Sequence, residues 1–516
     1  MAGITFTSKT VNVSHNALNG GLNSTSGNLN LQDNESSDLQ NVDFDKFGSI
    51  LKRNGYTCLN TGGMYIGTST ESVDALVWAE FTTGGSITRH AVAISGAKIY
   101  KMDDLDGVWD DVTGGATITS GNQFDVEMYN TTLFATNGVN APVKWVTGDT
   151  ANVASVPTGL TKAKYVKQFN NYLFYANVVV GGINLPTRLY WSALRDPTSF
   201  DSADWLEVSK DDGQEITGLR VLADRLVVFK DKAIYNVFFT GDSDIPFTLP
   251  GGGKANSSVG CISSNSIQEV ENGLVFLSSD GLYYYDGMNA YKISDKITDT
   301  LMGYNTTQLS KASSLVYKKK SQYWLALPSS GQTKKDRVVV WDYFNNAFSI
   351  YVGMNVSSLA TFFVSGVNER PYFGDYDGFV YRADVGRTDY PVNVATAINS
   401  YYWTNWKHYD DLASQKGIPQ IYIYYQENSA VLTFAYSYDF EENPQYSNTI
   451  NMSGGTAVYG TAVYGTDVYA GAGGAVVRRD LTGRGRVVRF KFANAVANET
   501  FRIDGFGSSP HLETNV

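Results

Sequence analysis

Short runs in which apolar and polar residues alternate, separated by polar turns, make up most of the chain. Alternation with a period of two predicts β-strands with one buried face, because successive side chains of a strand point to opposite faces. Helical periodicity is scarce. Its best candidate is "SDKITDTLMG", in which Ser294 is placed to cap a short helix from Asp295 to about Met302. The pattern therefore predicts an all-β protein.

A loose repeat runs through the first three quarters of the chain: an apolar strand, a polar turn, an aromatic strand, an Asn-Gly or Asp-Gly turn, and a further aromatic strand. Its copies begin at His90, Phe124, Lys164, Glu215, Ser266, Ala312 and Leu359. They start roughly 35 to 50 residues apart, the length of one four-stranded propeller blade. The repeat predicts a β-propeller of about seven blades. A set of β-sandwiches with similar hairpins is the alternative.

The period is lost beyond Asp389. Residues 418–440 and 486–507 there read as long alternating strands, which are typical of a β-sandwich. The residues before the first repeat read as an extended N-terminal arm. We therefore predict three parts: an arm and clasp hairpin at 1–70, a β-propeller at 71–389, and a C-terminal β-sandwich-like domain at 390–516.

An acidic stretch lies ahead of the repeats, at residues 30–56. Its acids are Asp33, Glu35, Asp38, Asp43 and Asp45. Their spacing lacks the D-x-[DN]-x-[DN]-G pattern and the distal glutamate of a calcium loop. We interpret them as residues that form turns and that pair with cations across a contact between subunits.

The end of this stretch, "FDKFGSILKRNGY", predicts a hairpin in which residues 45–48 turn the chain and residues 49–53 run extended. Such a strand would close the propeller on its last blade or tie one subunit to the next. The candidate interface residues are Ile50, Leu51, Lys52 and Arg53, with the two cations as counterparts of the acids.

A low-complexity run at 454–474, "GGTAVYGTAVYGTDVYAGAGG", places Tyr459, Tyr464 and Tyr469 five residues apart. Five matches neither a strand nor a helix period, so the spacing does not align the three rings on one face. A glycine-punctuated loop or edge hairpin is the favoured interpretation. The alternative is a contact with another subunit or with the host surface, because exposed tyrosines are good interface anchors.

Composition narrows the function classes. Aromatic residues make up 13 % of the chain and charged residues 18 %, against roughly 25 % charged residues in ordinary globular proteins, a mix that favours strands. The net charge of -11 argues against a dedicated nucleic-acid binder, because affinity for phosphates comes mainly from Lys and Arg. An acidic wall would repel a moving DNA duplex only weakly. The net charge is therefore compatible with DNA that passes by without being bound specifically.

The cysteines and the N-terminal residues carry no pattern of a disulfide framework, a zinc site or a signal peptide. Cys58 and Cys261 form no C-x-x-C pair, which argues against a disulfide framework and a zinc site and predicts inert thiols. The start "MAGITFTSKT" lacks the charged and apolar regions of a signal peptide, and no run of 18 apolar residues occurs. We expect a soluble, unexported chain without a membrane span.

The motifs of catalysis are missing or weak. Residues 249–258, "LPGGGKANSS", depart from a phosphate-binding loop at Ala255, and there is no G-x-S-x-G or H-E-x-x-H. The histidines are spread over different predicted units at His15, His90, His408 and His511. We therefore predict no catalytic residue, no metal site and no cofactor.

Two further groups of charged residues have competing interpretations. A propeller glycosidase would need paired acids such as Asp211 with Asp212, or Asp375 with Asp377, but these positions precede glycines where Asp commonly forms turns. The basic residues near the C-terminus are Arg478, Arg479, Arg484, Arg486, Arg489 and Lys491. A phosphate-binding strip is one interpretation of this basic group. A solvated strand that pairs with an acidic neighbouring subunit is favoured.

Several segments together resemble one known group of proteins. They are residues 31–56, 212–237 ("DGQEITGLRVLADRLVVFKDKAIYNV"), 272–287 ("NGLVFLSSDGLYYYDG"), 338–353 ("VVVWDYFNNAFSIYVG"), 482–492 and 501–507. The sequence resembles the tail nozzle, or tubular protein B, of short-tailed bacteriophages, a group that includes packaged-DNA stabilisation proteins.

The resemblance implies a homohexameric ring in the virion tail, with a β-propeller in each subunit, made in the host bacterial cytoplasm. It implies contacts with the portal-adaptor ring and with tail fibre or tail needle proteins, and a channel that is sealed until host contact and then passes DNA. It carries no catalytic residues. The alternatives are a tail propeller that binds or cleaves host-surface glycan and a cellular interaction platform.

Overall fold

A computed structural model describes residues 13–60, 65–67, 70–83, 85–255, 258–364, 368–392, 394–453 and 474–513. The chain forms two compact units. The propeller unit contains residues 57–338 and 354–383, and the terminal unit contains residues 1–56, 339–353 and 384–516. The predicted divisions at 70/71 and 389/390 thus differ from the observed unit bounds, chiefly because strands from both ends of the chain share one unit.

The propeller consists of successive antiparallel sheets, called blades 1 to 7 here, as the repeat predicts. In blades 1 to 5 the four strands of each sheet pair in chain order. Blade 1 contains Val73–Thr83, Ser86–Ser95, Lys98–Asp103 and Asp110–Asp111, and blade 2 contains Asp125–Tyr129, Thr132–Thr136, Val143–Val146 and Asn152–Val153. Blade 3 contains Leu160–Phe169, Tyr172–Val180, Ile183–Trp191 and Trp205–Glu207, and blade 4 contains Ile216–Leu222, Arg225–Lys230, Ile234–Phe239 and Phe247–Thr248.

The remaining blades follow the same plan. Blade 5 contains Gln268–Val270, Gly273–Ser278, Gly281–Tyr285 and Ala290–Lys292. The sheet called blade 6 contains Ser313–Tyr317, Gln322–Leu327, Arg337–Asp342 and Ala347–Val352, of which residues 339–353 are counted in the terminal unit. Blade 7 contains Ser358–Val364, Asn368–Gly374 and Val380–Ala383, and its sheet also includes Tyr56–Cys58.

Helices are short and lie in the connections. They are the α-helix Thr298–Met302 and the 3-10 helices Lys210–Asp212, Pro250–Gly252, Ser264–Ser266, Asp295–Ile297, Thr306–Lys311 and Lys318–Lys320. The helix predicted from Asp295 is therefore a 3-10 turn that continues as one α-helical turn. The Ser294 hydroxyl does not cap it but accepts a hydrogen bond from the backbone N–H of Leu282 at 2.9 Å. Within the described residues no helix has the length and apolar character needed to cross a membrane.

The first strand of each blade is the innermost. The first strands of blades 2, 3 and 4 pack against one another in order, as do those of blades 5, 6 and 7. Ser358–Val364 of blade 7 packs against Val73–Thr83 of blade 1, which closes the ring. Apolar side chains fill the space between neighbouring blades; for example, Phe81 meets Trp145 edge to face at 5.0 Å between ring centroids. Radial packing thus buries sheet faces that no blade could bury alone.

A segment that precedes blade 1 joins the last blade. The backbone N–H of Leu59 donates to the carbonyl of Val380 at 2.8 Å, and the Asn60 side chain accepts from the backbone N–H of Val380 at 2.9 Å. The backbone N–H of Ile66 donates to the carbonyl of Gly378 at 2.8 Å. Residues 49–53 were predicted to close the propeller on its last blade or to tie one subunit to the next. The closing segment instead lies just after them, and Ile50–Lys52 pairs within the terminal unit.

The terminal unit is a β-sandwich, as the C-terminal pattern predicts, but it is built from both ends of the chain. One sheet has the strand order Val42–Phe44, Ile50–Lys52, Arg502–Ser508, Gln420–Gln426 and Gly474–Asp480, with Val13–His15 also pairing with Arg502–Ser508. The other has the order Gly21–Leu22, Glu35–Gln40, Ser400–Thr404, Val488–Asn494, Val431–Tyr438 and Tyr446–Asn451. Smaller strands are Asp389–Tyr390, Gln415–Gly417 and His511–Glu513. The inner faces meet at Phe490 and Phe506, whose ring centroids are 5.3 Å apart.

Candidate functional site

A polar cavity of about 670 Å³ lies in the propeller unit, at the N-terminal ends of the inner strands of several blades. The connections that lead into blades 2, 5 and 6 supply much of its lining. We call it the axial cavity. Serine and threonine side chains are its largest group, and its amides are Asn122, Gln123, Asn137 and Asn265. Its volume falls within the roughly 300–1,000 Å³ that is usual for small-molecule sites.

An ion pair lies at the edge of the axial cavity. Asp125, at the start of the inner strand of blade 2, is 6 % exposed. Its Oδ1 lies 3.5 Å from Nη1 of Arg220 on the inner strand of blade 4, and its Oδ2 accepts from the backbone N–H of Val166 in blade 3 at 3.0 Å. Arg220 also donates to the carbonyls of Ser264 and Ile267 at 3.0 and 3.1 Å. These contacts tie four blades together.

Burial is the largest influence on the pKa of the Asp125 carboxyl group. Desolvation raises the pKa of Asp125 above its ordinary value, and the Arg220 guanidinium and the Val166 N–H only partly offset that rise. Neither residue belongs to a recognisable motif. The one sequence signal is a single arginine in an otherwise apolar strand, "ITGLRVL", and we missed it.

The rim of the axial cavity carries balanced charge. Lys164 Nζ lies 3.3 Å from Glu215 Oε1, and both side chains are well exposed. Burial, and then the neighbouring Glu215, raise the pKa of Asp231. Lys232 and Lys311 also line the cavity. Its charged lining therefore has three lysines and, with Asp125, three carboxylates.

A second cavity, of about 470 Å³, runs along the inner strands and shares Phe124, Asp125 and Asn265 with the axial cavity. Both spaces are of small-molecule size. A DNA duplex, whose major groove alone is about 12 Å wide, does not fit in either.

The predicted carboxylate pairs serve the fold. Oδ1 of Asp375 accepts from the backbone N–H groups of Asp377 and Phe379 at 2.9 and 2.8 Å, and Oδ2 accepts from the hydroxyl of Tyr381. Asp212 holds the fully buried ammonium of Lys230 at 2.7 Å, and Asp211 is exposed. The turn interpretation of these acids agrees with the structure.

Other candidate ligands do not converge either. In the described part of the chain, no group of three or more His, Cys, Asp or Glu side chains is arranged to hold a metal ion. Both cysteines are free thiols, Cys261 buried and Cys58 partly buried. The glycine run of 249–258 forms the 3-10 turn Pro250–Gly252 and leads back to blade 4, where the Ala255 N–H donates to the carbonyl of Ile234 at 2.9 Å.

The hairpin predicted within residues 44–56, with its turn at 45–48, is confirmed, and its strands are Val42–Phe44 and Ile50–Lys52. Val42 pairs with Lys52 and Phe44 with Ile50, and the Gly48 N–H donates to the carbonyl of Asp45 at 3.1 Å. Gly48 has φ 101°, a conformation that L side chains rarely adopt. Ile50 is buried and Leu51 is half-buried.

Lys52 and Arg53 were proposed as partners of acids in another subunit, but the structure satisfies both cations within the chain. Lys52 Nζ donates to Oδ1 of Asn494 at 2.6 Å. Arg53 forms a bidentate pair with Asp389 at 2.8 and 2.7 Å, and its Nε donates to Oδ1 of Asn41 at 2.8 Å. Both cations are 3 % exposed. Reversing their charge would therefore disturb the terminal unit before it could report on assembly.

The basic group near the C-terminus is solvated only in part: Arg478, Arg484 and Arg486 are exposed, whereas Arg489 is buried and Lys491 is half-buried. Arg489 is buried, with its guanidinium carbon 4.1 Å from the ring centroid of Trp403 and 4.6 Å from that of Trp406. Lys491 Nζ lies 4.4 Å from the ring centroid of Tyr401. Cation–π contacts hold these charges against aromatic rings of the same unit, which the alternation of residues alone did not reveal. Tyr459, Tyr464 and Tyr469 lie outside the described residues, and their contact role stays a prediction.

The terminal unit has its own cavity, of about 480 Å³, lined by His15, Asp33, Asn405 and Lys407 among others. Lys407 Nζ lies 3.3 Å from Nδ1 of His15 and 2.8 Å from Oδ1 of Asp33. Because an ammonium only donates, Nδ1 of His15 accepts and the ring is neutral. Burial, and then the Lys407 charge, lower the pKa of His15 to about 4, while Asp33 acts in the opposite direction.

Acid should therefore destabilise the terminal unit. Between pH 6.5 and 4 the unfolded state binds a proton at His15 that the folded state does not, so the free energy of unfolding falls as pH is lowered through this window, by roughly 3 kcal/mol in total. Urea unfolding at several pH values should show the decline, and His15→Gln, which keeps an acceptor but does not titrate, should flatten it. An equal decline in the variant would contradict this origin.

The comparisons with known proteins address the bladed region. Residues 93–333 match the family model described as "Bacteriophage P22 Gp10, beta-propeller". Over these residues, fewer than half of the chain, the protein is similar to a family of bacteriophage proteins. The part matched to P22 Gp10 begins in the second strand of blade 1 and ends before the third strand of blade 6, and the fold named in its description is the one observed.

Solved structures resemble the chain at low sequence identity. The computationally designed Ika8 protein is 12 % identical, with a TM-score of 0.37, and the match covers 62 % of this chain and 98 % of Ika8. A chain of a mitotic checkpoint complex is 8 % identical, with a TM-score of 0.40, covering 62 % and 93 %. YCF48 bound to D1 peptide is 10 % identical, with a TM-score of 0.38, covering 64 % and 96 %. No curated protein matches the chain in sequence.

Proposed function

We propose that the chain is a structural virion protein, a tail nozzle or hub subunit. In this proposal its copies form a hexameric ring that continues the DNA channel below the portal and adaptor, retains packaged DNA and passes it during ejection. The match of residues 93–333 to the P22 Gp10 model carries the proposal, because it falls on the blades themselves.

The size of the cavities supports a ring rather than a single propeller as the conduit. The axial cavity holds about 670 Å³, and side chains of blades 2, 4 and 5 are tied together beside it. A duplex would therefore have to pass through a channel that several subunits surround. In this role the propeller is a stiff wall element, and radial packing of aromatic blades suits that role.

The distribution of charge supports transit without specific binding. The chain carries 51 acidic and 40 basic residues. Several of the basic side chains are buried within their own unit and cannot reach phosphates. They include Lys52, Arg53, Lys230, Lys335, Lys407 and Arg489. Acids are buried in similar number, among them Glu35, Asp43, Asp125, Asp342, Asp375 and Asp389, so the surface keeps the acidic excess of the composition, which favours a wall that leaves DNA mobile.

We also propose that the role is structural rather than catalytic. The support lies in the acids that a glycosidase would need: the Asp375 oxygens are occupied by backbone N–H groups and a tyrosine hydroxyl. Asp212 is occupied by the Lys230 ammonium.

Imaging of single particles tests the proposal. We expect the purified protein, alone or mixed with its adaptor ring, to form six-fold rings with an open or gated centre wide enough for duplex DNA. Labelling in intact virions should place the chain in the tail. Particles that stay monomeric with and without the adaptor, or rings with no such centre, would overturn the nozzle assignment.

A further inference from the structure

Within the described part of the chain, two buried hydroxyl groups beside the axial cavity have no hydrogen-bond partner. Thr217, on the inner strand of blade 4, is 5 % exposed, and Ser264, in the connection that leads into blade 5, is 9 % exposed. Both side chains line the cavity, and neither Oγ1 of Thr217 nor Oγ of Ser264 is hydrogen-bonded. A buried hydroxyl without a partner is costly, so such groups normally have a purpose.

A glycine lets Ser264 approach the inner strand of blade 4 closely. A Cβ at Gly218, the residue after Thr217, would lie 3.3 Å from Oγ of Ser264 and 2.6 Å from the side chain of Ile267. The absence of a side chain at Gly218 therefore lets the connection into blade 5 approach the blade 4 strand. Arg220 fixes this approach by donating to the carbonyl of Ser264 at 3.0 Å. The position of Ser264 at the cavity is thus held by a backbone contact rather than by a hydrogen bond of its hydroxyl to any described residue.

The surrounding chemistry favours a ligand rich in hydroxyl groups. Amide and hydroxyl side chains dominate the lining, and each can both donate and accept, as the hydroxyls of a sugar do. The lysines and carboxylates of the lining are equal in number, so the cavity has no preference for an anion.

We propose that the axial cavity is a binding site for a neutral saccharide, with the hydroxyls of Thr217 and Ser264 as direct hydrogen-bonding partners of the sugar. The proposal goes beyond the role of a ring subunit, which needs no ligand. It assigns recognition without cleavage, because Arg220 holds Asp125 and Lys164 holds Glu215, which leaves only Asp231, whereas a glycosidase needs two carboxyl groups. A sulfated or phosphorylated glycan would meet the carboxylates of Glu215 and Asp231 and is disfavoured.

A glycan array tests the proposal directly. The full chain would be applied to maltotriose, cellotriose, chitotriose and bacterial O-antigen oligosaccharides, with dextran sulfate as the polyanionic probe. The best neutral ligand would then be titrated by calorimetry. Binding of O-antigen fragments alone would indicate a cell-surface source, and binding of the simple glucans would indicate a free sugar. Either result supports the proposal, whereas binding to none of the neutral probes, or to dextran sulfate in preference, overturns it.

The variant Thr217→Val/Ser264→Ala isolates the two hydroxyls. Neither makes a hydrogen bond within the chain, so the variant should fold as the wild type does, which thermal unfolding would check. We expect its affinity for the sugar to fall by roughly tenfold or more. The matched control is Ser358→Ala, which removes another unpartnered buried hydroxyl, in the second cavity, and should leave affinity unchanged. Unchanged binding in the double variant, or equal loss in the control, would overturn the assignment.

Discussion

Replacing Arg53 by leucine is expected to lower the free energy of unfolding by about 3–5 kcal/mol, the usual result of removing one partner of a buried ion pair. The variant leaves Asp389, whose side chain is 5 % exposed, without its bidentate partner. Burial already raises the pKa of Asp389, and the Arg53 charge is the main opposing influence. Urea unfolding of the full chain, followed through the transition of the terminal unit, measures the loss.

The matched control is Arg89→Leu. Arg89 pairs with Glu80 at 3.0 Å, but both side chains are substantially exposed, and the expected loss is below about 1 kcal/mol. A second variant, Arg53→Leu/Asp389→Leu, removes both charges and should recover part of the stability. If Arg53→Leu unfolded no more easily than Arg89→Leu, the buried pair would not be a stabilising element of this unit.

Replacing Asp125 by alanine is expected to cost about 3 kcal/mol in the propeller unit. The change leaves the Val166 N–H without its acceptor and removes the only carboxylate paired with Arg220 among the described residues. Asp125→Asn keeps an acceptor for Val166 and should lose less. Denaturant unfolding followed by tryptophan fluorescence provides the measurement.

The exposed Asp211 offers a comparison of the same residue type in the same unit. Asp211→Ala should change stability by no more than about 0.5 kcal/mol, because its side chain is exposed. If Asp125→Ala and Asp211→Ala lowered the free energy of unfolding by equal amounts, the contacts of Asp125 beside the axial cavity would not stabilise the propeller unit.

The sequence predicted the blades because the same local pattern recurs. Each copy carries its own turns and alternating strands, so the period is readable without knowledge of distant contacts. The partners of single charged side chains are not local. Arg53 and Asp389 lie 336 positions apart, and nothing near "LKRNGY" indicates that its arginine meets a carboxylate of the terminal unit rather than a neighbouring subunit.

The axial cavity escaped the sequence analysis for a related reason. Its polar residues come from equivalent places in several blades, such as "GNQF" before blade 2 and "SSNS" before blade 5, and each fragment reads as an ordinary turn. Only closure of the ring brings the fragments together. The alternating pattern of the strand Val488–Asn494 was visible in the sequence, but the environment of Arg489 was not. The aromatic rings that its guanidinium contacts belong to Trp403 and Trp406, which lie more than 80 positions earlier in the chain.

The joining of early residues to the last blade has a consequence for synthesis. Asn60 is hydrogen-bonded to Val380, 320 positions later, and the strand Ile50–Lys52 pairs with the strand Arg502–Ser508. During translation the blades can form in order as they leave the ribosome, but the ring cannot close before Val380–Ala383 has been made, and the sandwich cannot be completed before Arg502–Ser508 has been made. A chain that ended before blade 7 would therefore lack both finished units, and one that ended between blade 7 and Arg502–Ser508 would lack the sandwich, so only copies that reach the last strands would be fit to enter an assembly.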